Sequence, residues 1–199
     1  HSGLLPFYRG RNVLNWALIN DEKEFGITVH FVDENIDTGD IILQKTFPID
    51  ENDNYHTLLE RSYDQCPKLL LEAIKIITND QIKLIPQPSL NKKFMYCSKR
   101  IEGDEIINWE NSSRDLFNFI RALTCPGPCA KTFVNSQPVK IISSKFLKNA
   151  PNYKGIPGAV LQVNDEGFLV KTQDSFLQIT KWDSEIKIYN GLRFKIKDS

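Results

Sequence analysis

Gly26-Ile27-Thr28-Val29-His30-Phe31-Val32, followed by Asp33-Glu34-Asn35-Ile36-Asp37-Thr38-Gly39-Asp40 and the apolar run 41–47, decides how this chain is read. Ile27, Val29 and Phe31 alternate with Thr28 and His30, the period of a β-strand. An acidic loop comes next, and residues 41–47 predict a second strand. Upstream, Val13, Leu14, Ala17 and Leu18 stand at helical spacing within residues 11–20. Downstream, Leu58, Leu59, Leu69, Leu70, Ala73, Ile74 and Ile77 predict one long amphipathic helix over residues 55–78. Pro67 lies inside it and is expected to kink or interrupt it. A helix, a strand pair and a long helix make the tail of an α/β unit. A complete α/β sheet needs more strands, and the sequence opens on His1 in mid-pattern, so the expectation is that an upstream part is missing.

Pro86-Gln87-Pro88, with Ser89, Asn91, Lys92 and Lys93 after it, reads as a linker, because prolines favour extended backbone and exclude helix. Ser112-x-x-Asp115 predicts a helix start, and Leu116, Phe117, Ile120 and Leu123 continue it until Pro126. The period then changes to short strand-like runs at 131–134, 139–147, 159–163, 168–172 and 176–181, with turns at Asn135-Ser136 and Asp165-Glu166-Gly167. About five short strands suggest a small β-barrel. The division expected is therefore residues 1–91 and residues 92–199.

The 199 residues carry 25 Lys+Arg and 25 Asp+Glu, a formal net charge of zero, with 41% hydrophobic and 25% charged residues. Such a composition excludes a largely disordered chain, a collagen-like repeat and a disulfide-dense miniprotein. The zero is a sum of unlike parts: net −6 over residues 1–91, +1 over 92–130 and +5 over 131–199. No apolar run approaches the roughly 18 residues of a membrane span. Cys125 and Cys129 flank Pro-Gly-Pro, but Cys66 and Cys97 stand far off in sequence, which gives no zinc spacing and favours reduced thiols.

Three features could carry chemistry: the stretch from His1 to Arg11, the strand holding Thr28 and His30, and the loop 33–40. A His and an Asp on loops can form a proton-handling pair, since imidazole titrates near neutrality and a carboxylate beside it favours its charged form and fixes its orientation. Each residue also has a plainer reading. A terminal His can be a solvated residue, His30 a structural histidine of a strand, Asp33-Glu34 a solvated loop, and Asp37-Thr38-Gly39-Asp40 an ordinary turn or a calcium loop without the full EF-hand spacing.

Taken in order, His1-x-x-Leu4-Leu5-Pro6-x-Tyr8-Arg9-Gly10, Gly26-x-Thr28-x-His30 and Asp33-x-x-x-Asp37-x-Gly39 resemble the 10-formyltetrahydrofolate-dependent formyltransferases. That family includes glycinamide ribonucleotide, methionyl-tRNA and sugar N-formyltransferases. Tyr8-Arg9-Gly10-Arg11 through Asn15-Trp16 is most similar to the sugar branch, which acts on UDP-4-amino-4-deoxy-L-arabinose or dTDP-4-amino-4,6-dideoxyhexoses. Asn108-Trp109, Ile120-Arg121-Ala122 and the Pro-Gly-Pro segment continue the resemblance.

The resemblance implies an α/β fold. Residues 1–91 would be the C-terminal portion of a Rossmann-like formyltransferase domain. Residues 92–199 would be a linker helix and an OB-like β-barrel. It makes His1 the catalytic histidine and Asp37 the carboxylate that orients it. Arg11, Asp33, Glu34, Asn35, Ile36 and Asp37 become the binding positions for the cosubstrate 10-formyltetrahydrofolate, with no metal. The family's catalytic Asn, two positions before the His, falls before residue 1, so these residues alone are expected to be weakly active or inactive. His1-Ser2-Gly3 also departs from the usual order of small residues. The implied acceptor is the amine of a nucleotide-linked amino sugar, in cytoplasmic synthesis of a lipopolysaccharide component; the family is often dimeric, and no membrane is involved. Two alternatives stand beside it. One is methionyl-tRNA formyltransferase, whose OB-like domain contacts tRNA and could use the +5 tail. The other is a non-catalytic OB-like binding module joined to a truncated enzyme half.

Overall fold

The computed structural model describes residues 1–80, 82–91 and 93–195. Its chain divides into two compact units, one of residues 1–17 and 22–101, the other of residues 18–21 and 102–199. The first begins with β1 (Tyr8–Gly10) and α1 (Val13–Ile19), followed by β2 (Glu24–His30) and β3 (Ile41–Pro48). β2 and β3 pair antiparallel, with Gly26 opposite Thr46 and Thr28 opposite Gln44, and the register shifts between Val29 and His30. α2 (Tyr55–Thr78) packs against this pair through Leu58, Leu69 and Ala73, all buried. A 3₁₀ turn (Gln87–Leu90) leads to β4 (Met95–Cys97), which lies parallel to β1.

Three expectations change here. β2 is not half-solvated: residues 25–28 are all buried, Thr28 completely. Its hydroxyl is matched by Gly3 O at 2.7 Å and Gln44 Nε2 at 2.8 Å, which removes the cost of burying it. Pro67 does not interrupt α2, which is assigned unbroken from Tyr55 to Thr78. The carbonyl robbed of its helical donor belongs to Tyr63. Both Tyr63 and Pro67 are exposed, so water can take that carbonyl. Third, the stretch read as a linker packs into the first unit, where Gln87 is 2% exposed; Lys92 lies outside the described residues.

In the second unit Ser112 caps α3 (Ser113–Ala122) by accepting the Asp115 N–H, as Ser-x-x-Asp predicts. β5 (Ala130–Val134), β6 (Gln137–Lys145), β7 (Val160–Asn164), β8 (Gly167–Lys171) and β9 (Phe176–Asp183) form one antiparallel sheet in the order β5-β6-β9-β8-β7. Asn135 and Ser136 both have positive φ (46° and 65°), the backbone of a tight hairpin turn. α3 lies on β6 and β9, and Trp109, Leu116, Ile120, Ile141, Phe168, Leu177 and Phe194 share the core. The sheet does not close into a continuous barrel among the described residues. Its edge strands are touched by the chain end through single bridges, Phe133 to Lys195 and Ala159 to Arg193. Arg193, Phe194 and Lys195 alternate out, in, out; the rest of that expected alternation, Ile196 and Lys197, lies outside the described residues.

Candidate active site

Thr28 is the residue from which the site is built. Its backbone exchanges two hydrogen bonds with His1 (N–H to O 2.8 Å and 3.0 Å), and its hydroxyl donates to Gly3 O while Gln44 Nε2 donates both to it and to Leu5 O. The stretch from His1 to Leu5 is thereby laid along β2. A Cβ on Gly3 would come within 2.4 Å of His1 Nε2 and 2.5 Å of Tyr8 O, so only glycine leaves room for the imidazole. His1 Nε2 donates to Tyr8 O at 2.6 Å, because a carbonyl oxygen can only accept. Nδ1 is then the nitrogen turned toward Asp37, 3.7 Å from its Oδ2.

Asp37 stands at φ 55°, a left-handed backbone that aspartate tolerates better than most residues. Its Oδ2 accepts the Gly10 N–H at 2.7 Å. Its Oδ1 lies 3.7 Å from His30 Nε2, while His30 Nδ1 donates to Phe31 O at 2.7 Å. One carboxylate thus sits between two imidazoles, whose ring centroids are 6.4 Å apart. His1, Thr28, Val29, His30, Val32, Cys66 and Leu70 line a cavity of 240 Å³ beside them. Gly39 lets the loop pass close to β2, since a Cβ there would stand 1.8 Å from Phe31 O.

The structure therefore brings His1 and Asp37 together and adds His30, which the sequence left as a structural histidine. The signal was present in Gly-x-Thr-x-His, whose period of two puts His30 on the same face as Thr28. The other expected positions are not drawn in. Arg11 is exposed, and its backbone N–H donates to Cys97 O at 3.0 Å. Asp33, Glu34, Asn35 and Ile36 are all exposed. Thr38 Oγ1 donates to the Asp33 carboxylate at 2.5 Å and is the main reason that carboxyl is held below its usual range. Gln87 was missed altogether. It donates to Asp37 O at 2.9 Å and Gly39 O at 2.8 Å, and it accepts from Arg9.

The residues of the apparent sugar signature have local work as well. Asn12 Oδ1 accepts the Arg100 N–H at 2.9 Å, Trp16 Nε1 donates to Ser98 O at 3.0 Å, and the Arg100 guanidinium lies over the Trp16 ring. All four cysteines are free thiols, and burial pushes Cys97 up to about 11, which leaves it unreactive. Among the described residues no group of three or more His, Cys, Asp or Glu is placed to hold a metal ion, and no helix is long and apolar enough to cross a membrane.

Two imidazoles about one carboxylate have the chemistry to take up and release a proton. The chain belongs to the formyltransferase family: residues 1–74 match the formyl transferase model and residues 101–194 the formyl transferase C-terminal domain model. A methionyl-tRNA formyltransferase of Thermodesulfovibrio yellowstonii is 37% identical over 179 residues, 90% of this chain and 55% of that protein. Among solved structures, WlaRD, a sugar 3N-formyl transferase crystallised with dTDP and 5-N-formyl-THF, superposes with a TM-score of 0.70 at 28% identity, covering 94% of this chain and 65% of its own. An N-formyltransferase from Helicobacter canadensis, in complex with folinic acid and dTDP-3-aminofucose, gives 0.68 at 27% identity, covering 90% and 63%. The chain spans little more than half the length of the curated relatives it matches, 55% in the first case. The comparisons therefore show the family and not the branch: these two structures are of sugar N-formyltransferases, while the curated sequence relatives carry the methionyl-tRNA name.

Proposed function

We propose that this chain is the portion of a formyltransferase that carries its acid–base centre, moving a formyl group from 10-formyltetrahydrofolate to a primary amine. The observation that carries the reading is the Asp37 carboxylate held between His1 and His30, two residues that line a cavity. When the neutral amine attacks the formyl carbon, a tetrahedral oxyanion forms and the nitrogen must lose a proton. An imidazole paired with a carboxylate can take that proton, stabilise the anion once charged, and pass the proton to N10 as the formyl carbon–N10 bond breaks and tetrahydrofolate leaves; such positioned groups are worth about 10²–10⁴-fold. Arg11 and the loop 33–36 would meet the folate, since these residues are exposed, with the Asp33 carboxylate holding the loop through Thr38 and Asn35. The first unit would be the rear of a Rossmann-like domain and residues 102–199 an OB-like domain, so that the division falls after residue 101 and not after residue 91.

For the acceptor, the amine of a nucleotide-linked amino sugar is the better reading. Two structures of enzymes crystallised with dTDP or a dTDP-sugar cover nine tenths of the chain or more. In addition, residues 102–199 carry 13 basic against 11 acidic side chains, net +2, a weak field for an RNA backbone. Methionyl-tRNA is the second reading, carried by the names of the sequence relatives. The work fits a cytoplasmic enzyme, where 10-formyltetrahydrofolate is found. The test uses the full-length protein with 10-formyltetrahydrofolate and, in separate reactions, a dTDP- or UDP-linked amino sugar and methionyl-tRNA, with products followed by mass spectrometry. An N-formyl sugar is expected. Formyl-methionyl-tRNA alone would transfer the reading to the second acceptor, and no formyl product from either would remove it.

A further inference from the structure

The residue that joins the two halves of the acid–base centre is fifty positions away from Asp37 in sequence. Gln87 is 2% exposed, and both ends of its amide are fully used. Its Nε2 donates to Asp37 O (2.9 Å) and Gly39 O (2.8 Å). Its Oε1 accepts from Arg9 Nη2 (2.6 Å) and Arg9 Nε (3.2 Å). Arg9 sits in β1 between two residues that touch the site through their backbones: Tyr8 O takes His1 Nε2, and Gly10 N–H holds Asp37 Oδ2. One side chain therefore grips the segment that positions His1 and the loop that presents Asp37.

We infer that Gln87 is a positioning residue of this site, setting the separation of the Asp37 carboxylate from the two imidazoles. The loop 33–38 has few other anchors. Residues 33–36 are exposed, and the Asp33 bonds to Thr38 and Asn35 lie within the loop itself. The prolines that suggested a linker serve this placement. Pro86 is extended (φ −60°, ψ 125°), and its carbonyl accepts the Ser89 N–H and hydroxyl, which closes the turn that aims Gln87 inward. Neither end of the Gln87 amide has hydrogen-bonding capacity left for a substrate, so Gln87 acts only through Asp37 and Arg9.

Gln87→Glu tests this directly. It keeps an oxygen for Arg9 but has no N–H for the Asp37 and Gly39 carbonyls. In the full-length protein labelled with ¹⁵N-histidine, the imidazole signals of His1 and His30 are expected to move, while that of His56, exposed on α2, stays in place. Turnover is expected to fall about tenfold to a hundredfold with acceptor KM changed less than about twofold, as for a group that misplaces the chemistry without touching substrate. Gln87→Asn, one methylene shorter, is the milder second variant should the first fail to fold. A folded variant with unmoved His1 and His30 signals, or with wild-type turnover, overturns the inference. The kinetic readout rests on the formyl-transfer reading. The histidine spectra do not, so a wild-type protein that forms no formyl product would sink that reading and still leave Gln87 tested.

Discussion

Asp37 lies between His1 and His30, and its surroundings let charge be separated from shape. Asp37→Asn keeps an oxygen to accept the Gly10 N–H but removes the negative charge between His1 and His30. The expected result is a fall of about 10²-fold or more in formyl transfer, with thermal unfolding little changed; a folded variant of near wild-type rate would remove Asp37 from the mechanism. Gly39 poses the opposite case, shape without charge. A Cβ there would meet Phe31 O at 1.8 Å, backbone against backbone with no flexible side chain to yield. Gly39→Ala should cost about 1–3 kcal/mol, as overpacking does, read as a lower urea midpoint. His1 and Asp37 are visible in the sequence because their motif neighbours are glycines and a proline at fixed spacing. Gln87 is not, because a glutamine between two prolines carries no local mark of the two carbonyls it will meet.

At the scale of elements, α2 shows which local rules hold and which yield. Its start is a capping box: Asn54 Oδ1 accepts the Thr57 N–H at 3.2 Å, and Thr57 Oγ1 accepts the Asn54 N–H at 3.0 Å. Asn54→Ala should destabilise the protein by about 1 kcal/mol, measured by chemical unfolding, since the Thr57 N–H loses its acceptor while the N–H of residue 54 keeps Thr57 Oγ1. Pro67 is the rule that yields, because its cost falls on a solvated carbonyl. Pro67→Ala restores the missing N–H and should raise the unfolding midpoint, with a gain of up to about 3 kcal/mol; a lowered midpoint would mean that the ring packs more tightly than its exposure indicates. The length of α2, the strand pair and the α3 cap are legible from periodicity and capping residues alone. The burial of both faces of β2 is not, because Thr28 looks polar until its hydroxyl finds Gly3 O and Gln44.

At the scale of the whole molecule, two carboxyls of the second unit, Asp174 and Glu105, tie stability to pH. Burial pushes the Asp174 carboxyl up, but hydrogen bonds from Ser113 N–H, Thr172 Oγ1 and Ser175 N–H outweigh it and hold the group below its usual range. Glu105 follows the same pattern, with burial opposed by the Lys131 ammonium 2.8 Å away. A carboxyl whose folded value is depressed contributes stability above its unfolded value, near 4, and loses it as pH falls through the lower folded one. The melting temperature should therefore hold from neutrality down to about pH 4 and drop steeply below, and Asp174→Asn should flatten that drop. An unchanged slope in the variant would mean that other carboxylates govern the acid limb. The zero net charge also resolves at this scale, into two nearly neutral units, net −1 for residues 1–17 with 22–101 and net +1 for residues 18–21 with 102–199, because the four basic side chains of residues 92–101 fall in the same unit as the acidic stretch before them.

Beside a motif order that resembles the formyltransferases, the sequence by itself determined the local grammar: strand alternation, the helix of residues 55–78, the Ser112 cap and the hairpin turns. Those features depend on residues within a few positions of one another, where backbone geometry and side-chain period act directly. Only the tertiary structure decided that His30 shares the Asp37 carboxylate, that residues 86–91 belong to the site-bearing unit, and that Gln87 couples Arg9 to the Asp37 loop. Each of these rests on hydrogen bonds between groups that are distant in the chain. A donor's partner is set by which carbonyls the fold leaves buried and unsatisfied, and no local pattern records that.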